Sequence, residues 1–260
     1  MTIASNTVAA LFAAVLFSPI AANAGTIVGL VDGNSLVMID PADRKVTGKV
    51  HIKGGFDKIL GIDRRPADGM LYGITSDGTI VTIDVKSGQA TNKAKLSEAW
   101  KSGITTTIDF NPVADRLRVM GSDGANVRVN VDDGKVTLDG SHKYKAGDAN
   151  AGKTPKVIAG SYTNAIKGAQ TTTLYNVDAA TGALVTQAPP NDGTLNTVGP
   201  LGVKLGGRTA FKIAADQERN DAWLVMDGNL YSVDLKTGKA TMGGKIGGLT
   251  GRLTDIAWCE

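Results

Sequence analysis

A phrase repeated five times along the chain constrains its fold more than any other feature. A run of β-branched and apolar residues ends in Asp and leads into a polar turn: Leu36–Asp40, Ile80–Asp84, Val127–Asp132, Leu174–Asp178 and Leu230–Asp234. The steps between the closing aspartates are 44, 48, 46 and 56 residues. Repeats of about 40–50 residues made of four strand-sized runs each are the signature of propeller blades. The second unit shows the internal grammar most plainly. Leu71–Ile74 and Ile80–Ile83 suit a pleated surface, and Ser76-Asp77-Gly78 joins them. Asp-Gly is a strong hairpin signal, because Gly takes a positive φ without steric cost. The 33 glycines of the chain follow no three-residue period, so they read as tight turns.

Upstream of the phrase an earlier strand pair recurs. It is Ile59–Asp63 with Leu71–Thr75 in the second unit, Thr105–Phe110 with Leu117–Gly121 in the third, and Ala210–Ala214 with Ala222–Met226 in the fifth. The fourth is irregular, with Val157–Thr163 followed by a loop over Asn164–Thr171. The first unit has only Thr26–Val31 before its phrase, and the last segment, Leu253–Trp258, resembles Thr107–Phe110 in pattern. The expectation is an all-β propeller of five four-stranded blades over residues 25–260. The C-terminal strand completes the first blade and removes the open sheet edges.

Residues 1–24 differ from the rest. Val8–Phe17 is a short apolar run, followed by Ser18-Pro19 and the small-residue site Ala22-Asn23-Ala24. That reads as a secretory signal cleaved after Ala24, although the segment has no Lys or Arg and its only positive charge is the amino terminus. The run is too short to span a bilayer, which takes about 20 residues. The expected location is therefore periplasmic or secreted, with no membrane insertion after cleavage. The net charge of +3 is mild and unclustered, which speaks against nucleic acid as a partner. Cys259 is the only cysteine, so no intrachain disulfide forms.

Several longer motifs resemble a bacterial exported family known as domain of unknown function 4394. They are Gly61–Gly69 (GIDRRPADG), Asp109–Val119 (DFNPVADRLRV), Asn126–Asp132 (NVRVNVD), Ser161–Asn164 (SYTN) and Pro189–Gly199 (PPNDGTLNTVG). The resemblance covers nearly all of the chain beyond residue 24. It implies a propeller-like β domain outside the cytoplasm, and no activity.

Four groups of residues bear on chemistry. Gly147–Thr154 fits the phosphate-loop pattern G-x-x-x-x-G-K-[ST], but that loop needs a buried strand before it and a helix after it. Here Ser141–Lys145 is polar, Pro155 follows at once, and Val157-Ile158 reads as strand, so the segment reads as an interblade loop. His51 and His142 both lie in polar stretches that read as exposed, and no His pair or Cys cluster has zinc spacing.

Carboxylates are better material. Asp63, Asp109 and Asp255 occupy equivalent-looking positions in first strands, which line a propeller's channel, so they are candidates to converge on a ligand or a Ca²⁺ ion. The plainer reading is that each serves its own blade. Arg116, Arg118, Arg128 and Asn130 form a second candidate group. Strand alternation puts Arg116 and Arg118 on one face and Arg128 with Asn130 on the neighbouring strand, a cluster fit for a carboxylate or sulfate. A solvated face stapled by Asp115 and Asp132 is the alternative. Pro189–Gly199 reads as a loop covering one mouth of the ring. Two functional readings follow: a non-enzymatic binding or scaffold module for a small anionic ligand, glycan or protein, and a Ca²⁺-dependent, lactonase-like hydrolase using channel carboxylates.

Overall fold

The computed structural model describes residues 25–101, 104–206, 208–216 and 219–259, so the segment read as a secretory signal lies outside the described residues. The chain forms five blades around one axis. β1 (Thr26–Val31), β2 (Ser35–Asp40) and β3 (Lys45–His51) run outward in the first. Blade 2 is β4 (Ile59–Arg64), β5 (Leu71–Thr75), β6 (Thr79–Ile83) and β7 (Ala90–Lys95). Blade 3 is β8 (Thr106–Asn111), β9 (Arg116–Gly121), β10 (Asn126–Val129) and β11 (Val136–Leu138). Blade 4 starts at the axis with β13 (Val157–Tyr162), β14 (Leu174–Asp178), β15 (Ala183–Gln187) and β16 (Thr194–Pro200). It ends on a fifth, parallel strand, β12 (Lys143–Tyr144). Blade 5 is β17 (Thr209–Ala215), β18 (Asn220–Met226), β19 (Asn229–Val233) and β20 (Ala240–Lys245). The last strand, β21 (Leu253–Cys259), returns to blade 1 as its innermost member and pairs antiparallel with β1. The ring is thus closed by hydrogen bonds between the two ends of the described chain.

Each blade packs both faces against its neighbours, which explains the burial along the strands. The second strand of blade 2, Leu71–Thr75, is buried at every residue, whereas the outer strand β7 is buried mainly at Ala90 and exposes Lys93 and Lys95. Lysines also stand on β3 and β20, and charge on an outer edge discourages pairing with another molecule. The core is correspondingly divided into wedges between blades. Tyr72, Ile74 and Ile80 of blade 2 meet Ile108, Phe110 and Leu117 of blade 3, with the Tyr72 and Phe110 rings edge-on at 5.3 Å. Ile27, Ile39, Ile256 and Trp258 of blade 1 meet Ala210, Ala214 and Val225 of blade 5.

The turn between third and fourth strands reaches toward the preceding blade. A Cβ on Gly88 would sit 2.1 Å from the His51 carbonyl oxygen and one on Gly134 1.8 Å from that of Lys95, so only glycine fits there. The aspartates of the repeat explain themselves at the same turn. Asp40, Asp84 and Asp234 each end a third strand and accept backbone N–H groups two residues on.

Two repeat assignments are corrected. In blade 3 the turn-capping residue is Asn130, which accepts the Asp132 N–H at 3.2 Å, so Asp132 lies two residues past the equivalent position. In blade 4 the phrase ending at Asp178 is the second strand, and the third is β15. The apolar pattern of the two strands is alike, and only ring position separates them. Pro189–Gly199 is not a cover over a mouth: a 3₁₀ turn at Pro190–Asp192 leads into β16, an outer strand of blade 4. The phosphate-loop lookalike is a series of turns with no helix. Asp148 in it accepts the Thr197 N–H and hydroxyl at 2.7 Å, and Lys153 donates to Asn150 at 2.8 Å.

Candidate functional site

An innermost strand has only one neighbour in its own sheet, so half of its backbone N–H groups face the next blade without a ladder partner. Side chains on the adjacent innermost strand supply the acceptors. Asp255 of β21 accepts the Ile62 N–H of β4 at 2.9 Å. Asp63 of β4 accepts the Phe110 N–H of β8 at 2.7 Å. Asp109 of β8 accepts the Tyr162 N–H of β13 at 2.8 Å, and Ser161 of β13 accepts the Ile213 N–H of β17 at 3.1 Å. Asp255 stands level with Gly61, and the equivalent of Asp63 on β21 is Ala257. On β17 the equivalent of Asp63 and Asp109 is Lys212. It spans the axis and donates to Asp63 Oδ1 and Asp109 Oδ2, both at 2.6 Å.

These charged groups are sealed: Asp63 and Asp109 are 1% exposed, and Lys212 and Asp255 3%. Burial, then the charge of Asp63, hold the Asp109 carboxyl up at about 7 against the pull of Lys212. Burial likewise holds Asp255 well above the usual carboxylate range. Burial alone would lower the Lys212 ammonium, but the charges of Asp109 and Asp63 outweigh it and push it up. Of the three carboxylates singled out from the sequence, Asp63 and Asp109 face each other across Lys212 at one level of the axis, whereas Asp255 lies at the adjacent level, aligned with Gly61. Among the described residues no group of three or more His, Cys, Asp or Glu is placed to hold a metal ion, and an ammonium occupies the space between Asp63 and Asp109. Lys212 was missed in the sequence, although a lone Lys inside the apolar run Ala210–Ala214, aligned with Asp63 and Asp109, was the signal.

The arginine group comes together only in part. Arg118 pairs across the ladder with Arg128 on one side and Asp109 on the other. Its guanidinium is buried and donates to Tyr162 Oη at 2.9 Å and to Asn126, Asp139 and Asn191 side-chain oxygens at 2.7 Å each. Arg128 shares Asp139 through Nε at 2.9 Å and Nη2 at 2.9 Å. Arg116 is exposed and donates to the Asp115 carbonyl, and Asn130 caps its turn, so neither joins the cluster. Asp115 and Asp132 staple Arg65 instead, at 2.6 and 3.1 Å, tying blade 2 to blade 3. His142 is a further correction. It is buried beside Gln187, with neither ring nitrogen in a hydrogen bond of normal geometry, and burial lowers it to about 4; His51 is exposed. Ser141, Lys143 and Lys145 around it do face solvent, while His142 and Tyr144 alternate with them and point inward.

Solvent reaches the axis at the end where the innermost strands begin. A cavity of about 330 Å³ there is lined by Lys58, Lys101, Arg208 and Arg252, with Ser76, Thr105, Thr106, Thr254 and one carboxylate, Asp32. Arg208 and Arg252 also border a neighbouring groove with Lys245 and Asp227. The residues immediately before β4, β8, β13, β17 and β21 are Lys58, Thr105, Lys156, Arg208 and Arg252, so four of the five blade-to-blade connections deliver a cation at the same register position. Counter-charge is sparse. Arg252 lies 3.9 Å from Asp32 and Lys101 2.7 Å from Asp123, while Lys58 and Arg208 are in no ion pair among the described residues.

The fold and its site define a five-bladed β-propeller closed by its C-terminal strand, plugged at the axis by a buried Asp–Lys–Asp bridge and open at one basic mouth. The chain belongs to the family described as domain of unknown function (DUF4394), whose model matches residues 35–257. No curated protein matches it. Among solved structures it is similar to a protein of unknown function from Bacteroides thetaiotaomicron VPI-5482, with 13% identity and a TM-score of 0.52 over 90% of this chain and 70% of that one. A protein of unknown function from Bacteroides caccae gives 15% identity and a TM-score of 0.42 over 86% and 73%. The dihydro-heme d1 dehydrogenase NirN gives 13% and 0.40, with 87% of this chain but only 44% of that chain covered.

Proposed function

We propose that the protein is an exported, non-enzymatic binding module whose basic mouth holds an anionic ligand, an acidic glycan or a small polyanion. The observation that carries this reading is the ring of Lys58, Lys156, Arg208 and Arg252 at one register position, three of them in no ion pair among the described residues. Charges gathered at a concave mouth focus their field on an incoming anion, and the attraction weakens as salt screens it. The hydrolase reading loses its materials here. Asp63, Asp109 and Asp255 are sealed from solvent and spent on Lys212 and on backbone N–H groups.

Export rests on the apolar run ending in Ala22-Asn23-Ala24. Two measurements test the whole reading. Calorimetric titration with a sulfated oligosaccharide should show binding that weakens at least about tenfold between 50 and 500 mM salt and is lost in Arg208→Ser/Arg252→Ser. No binding by any polyanion, or binding unchanged in the double variant, refutes the site. Protein from the native host should begin at Gly25; a cytoplasmic protein beginning at Met1 refutes export.

A further inference from the structure

The axial bridge is placed for chemistry that no surface ion pair could undergo. Lys212 Nζ lies 2.6 Å from Asp109 Oδ2 and 2.6 Å from Asp63 Oδ1, and all three side chains are nearly inaccessible to water. Two carboxylates and one ammonium leave an interior either negatively charged or carrying an extra proton, and both are costly in a low-dielectric core. Condensation of the ammonium with one carboxyl removes both charges at once. We propose that Lys212 and Asp109 form an intramolecular amide across the propeller axis, made by the folded protein on itself.

The protons balance within the triad. Burial and the Asp63 charge favour the neutral acid at Asp109, which is the electrophilic form. Asp63 Oδ1 is in contact to take a proton from the ammonium, giving a neutral amine and a neutral Asp63. The amine attacks the Asp109 Cγ. The developing negative charge falls on Oδ1, which already accepts the Tyr162 N–H at 2.8 Å, a fixed donor of the kind that stabilises oxyanions. The new N–Cγ bond forms, the Cγ–Oδ2 bond breaks, and Oδ2 leaves as water after receiving a proton from the amine nitrogen. One proton remains on Asp63, the product is uncharged, and no oxidant or cofactor enters.

Holding the reactants in contact replaces a bimolecular encounter with effective concentrations of about 10⁵–10⁸ M, so a minor population of free amine suffices over the lifetime of the protein. The bond would join blade 5 to blade 3, which are not neighbours, and lock the ring across its centre.

Intact mass spectrometry of the purified, full-length protein reads the outcome directly. The expected mass is that of the chain less one water, with a branched tryptic peptide joining the segments that contain Asp109 and Lys212. Succinimide at an Asp-Gly pair gives the same mass loss, so the sample is treated with alkaline hydroxylamine, which opens a succinimide and leaves an amide intact. Lys212→Arg should restore the full mass. Asp63→Asn should restore it too while the far-ultraviolet spectrum and cooperative melting persist. An unmodified mass with a free Lys212 peptide overturns the proposal. So does a water loss that survives in Lys212→Arg, maps to Asp63, or disappears with hydroxylamine.

Discussion

Arg65 donates six side-chain hydrogen bonds and Arg118 four, and the structure says that the smaller set should cost more to lose. Arg118→Met keeps the aliphatic stem and removes the guanidinium. Tyr162 Oη, Asn126 Oδ1 and Asn191 Oδ1 then lose a donor 2.7–2.9 Å away, and Asp139, 4% exposed, keeps only Arg128. Breaking a buried charge pair costs about 3–5 kcal/mol, because the desolvation of the abandoned partner is no longer offset. For a domain of this size each kcal/mol lowers Tm by about 2–4 °C, so the expected drop is about 6–20 °C. Arg65→Met is the control. Its carboxylate partners are 26–62% exposed and rehydrate, leaving about 1–2 kcal/mol from screened pairs and the stacking on Tyr72 at 5.8 Å. Urea melts of both variants against the parent at one pH give the two differences. Equal losses, or a larger loss at Arg65, would refute the claim that burial, not the number of bonds, sets the energy of these staples.

Deleting residues 253–260 strips blade 1 of its innermost strand and exposes the inner edges of β1 and of the neighbouring blades, so the truncated chain should lose its cooperative thermal transition; a melt within a few degrees of the intact protein would disprove ring closure. His142 sets an acid limit. Its value falls from 6.5 in the unfolded chain to about 4 in the fold, so the unfolded chain gains the proton first, and stability that is full above pH 6.5 declines toward pH 4. The loss is on the order of 3 kcal/mol, and His142→Phe should flatten the acid limb of urea midpoints by that amount. Lys153→Ala should change stability by no more than about 0.5 kcal/mol, and titration with ATP and Mg²⁺ should show no micromolar binding; binding that vanishes in the variant would restore the phosphate-loop reading.

The ring was legible because strand length, turn chemistry and a period near 46 residues all point one way. What failed was equivalence between strands that look alike. Leu174–Asp178 and Leu230–Asp234 share the pattern apolar–Tyr–polar–Val–Asp, yet one is a second strand and the other a third. Their side chains meet the same requirement, two buried faces, so alternation carries no mark of position along the blade. The difference shows only in what the closing Asp touches. Asp234 caps an exposed turn, while Asp178 is buried and takes the Lys156 N–H and the Tyr144 hydroxyl, which reach it from outside the β14 ladder.

The two layers that matter most at the axis share one cause, and it hides them differently. A buried layer needs polar atoms at fixed heights on its strands, so Asp63 and Asp109 sit at matching positions and could be picked out in advance, whereas Asp255, chosen with them, stands two residues early, level with Gly61. Lys212 escaped because aspartate was the type being matched, although the physical requirement is only a polar group facing the next blade. Beside the two carboxylates of the layer that requirement turns positive at Lys212. The mouth layer stayed invisible for another reason. Lys58, Lys156, Arg208 and Arg252 close connections of unlike length and composition, and they align only once the first residue of each innermost strand is known. Strand boundaries are what sequence patterns fix least well. A charge ring defined by those boundaries is therefore a property of the folded register, and the basic mouth had to be found in the structure.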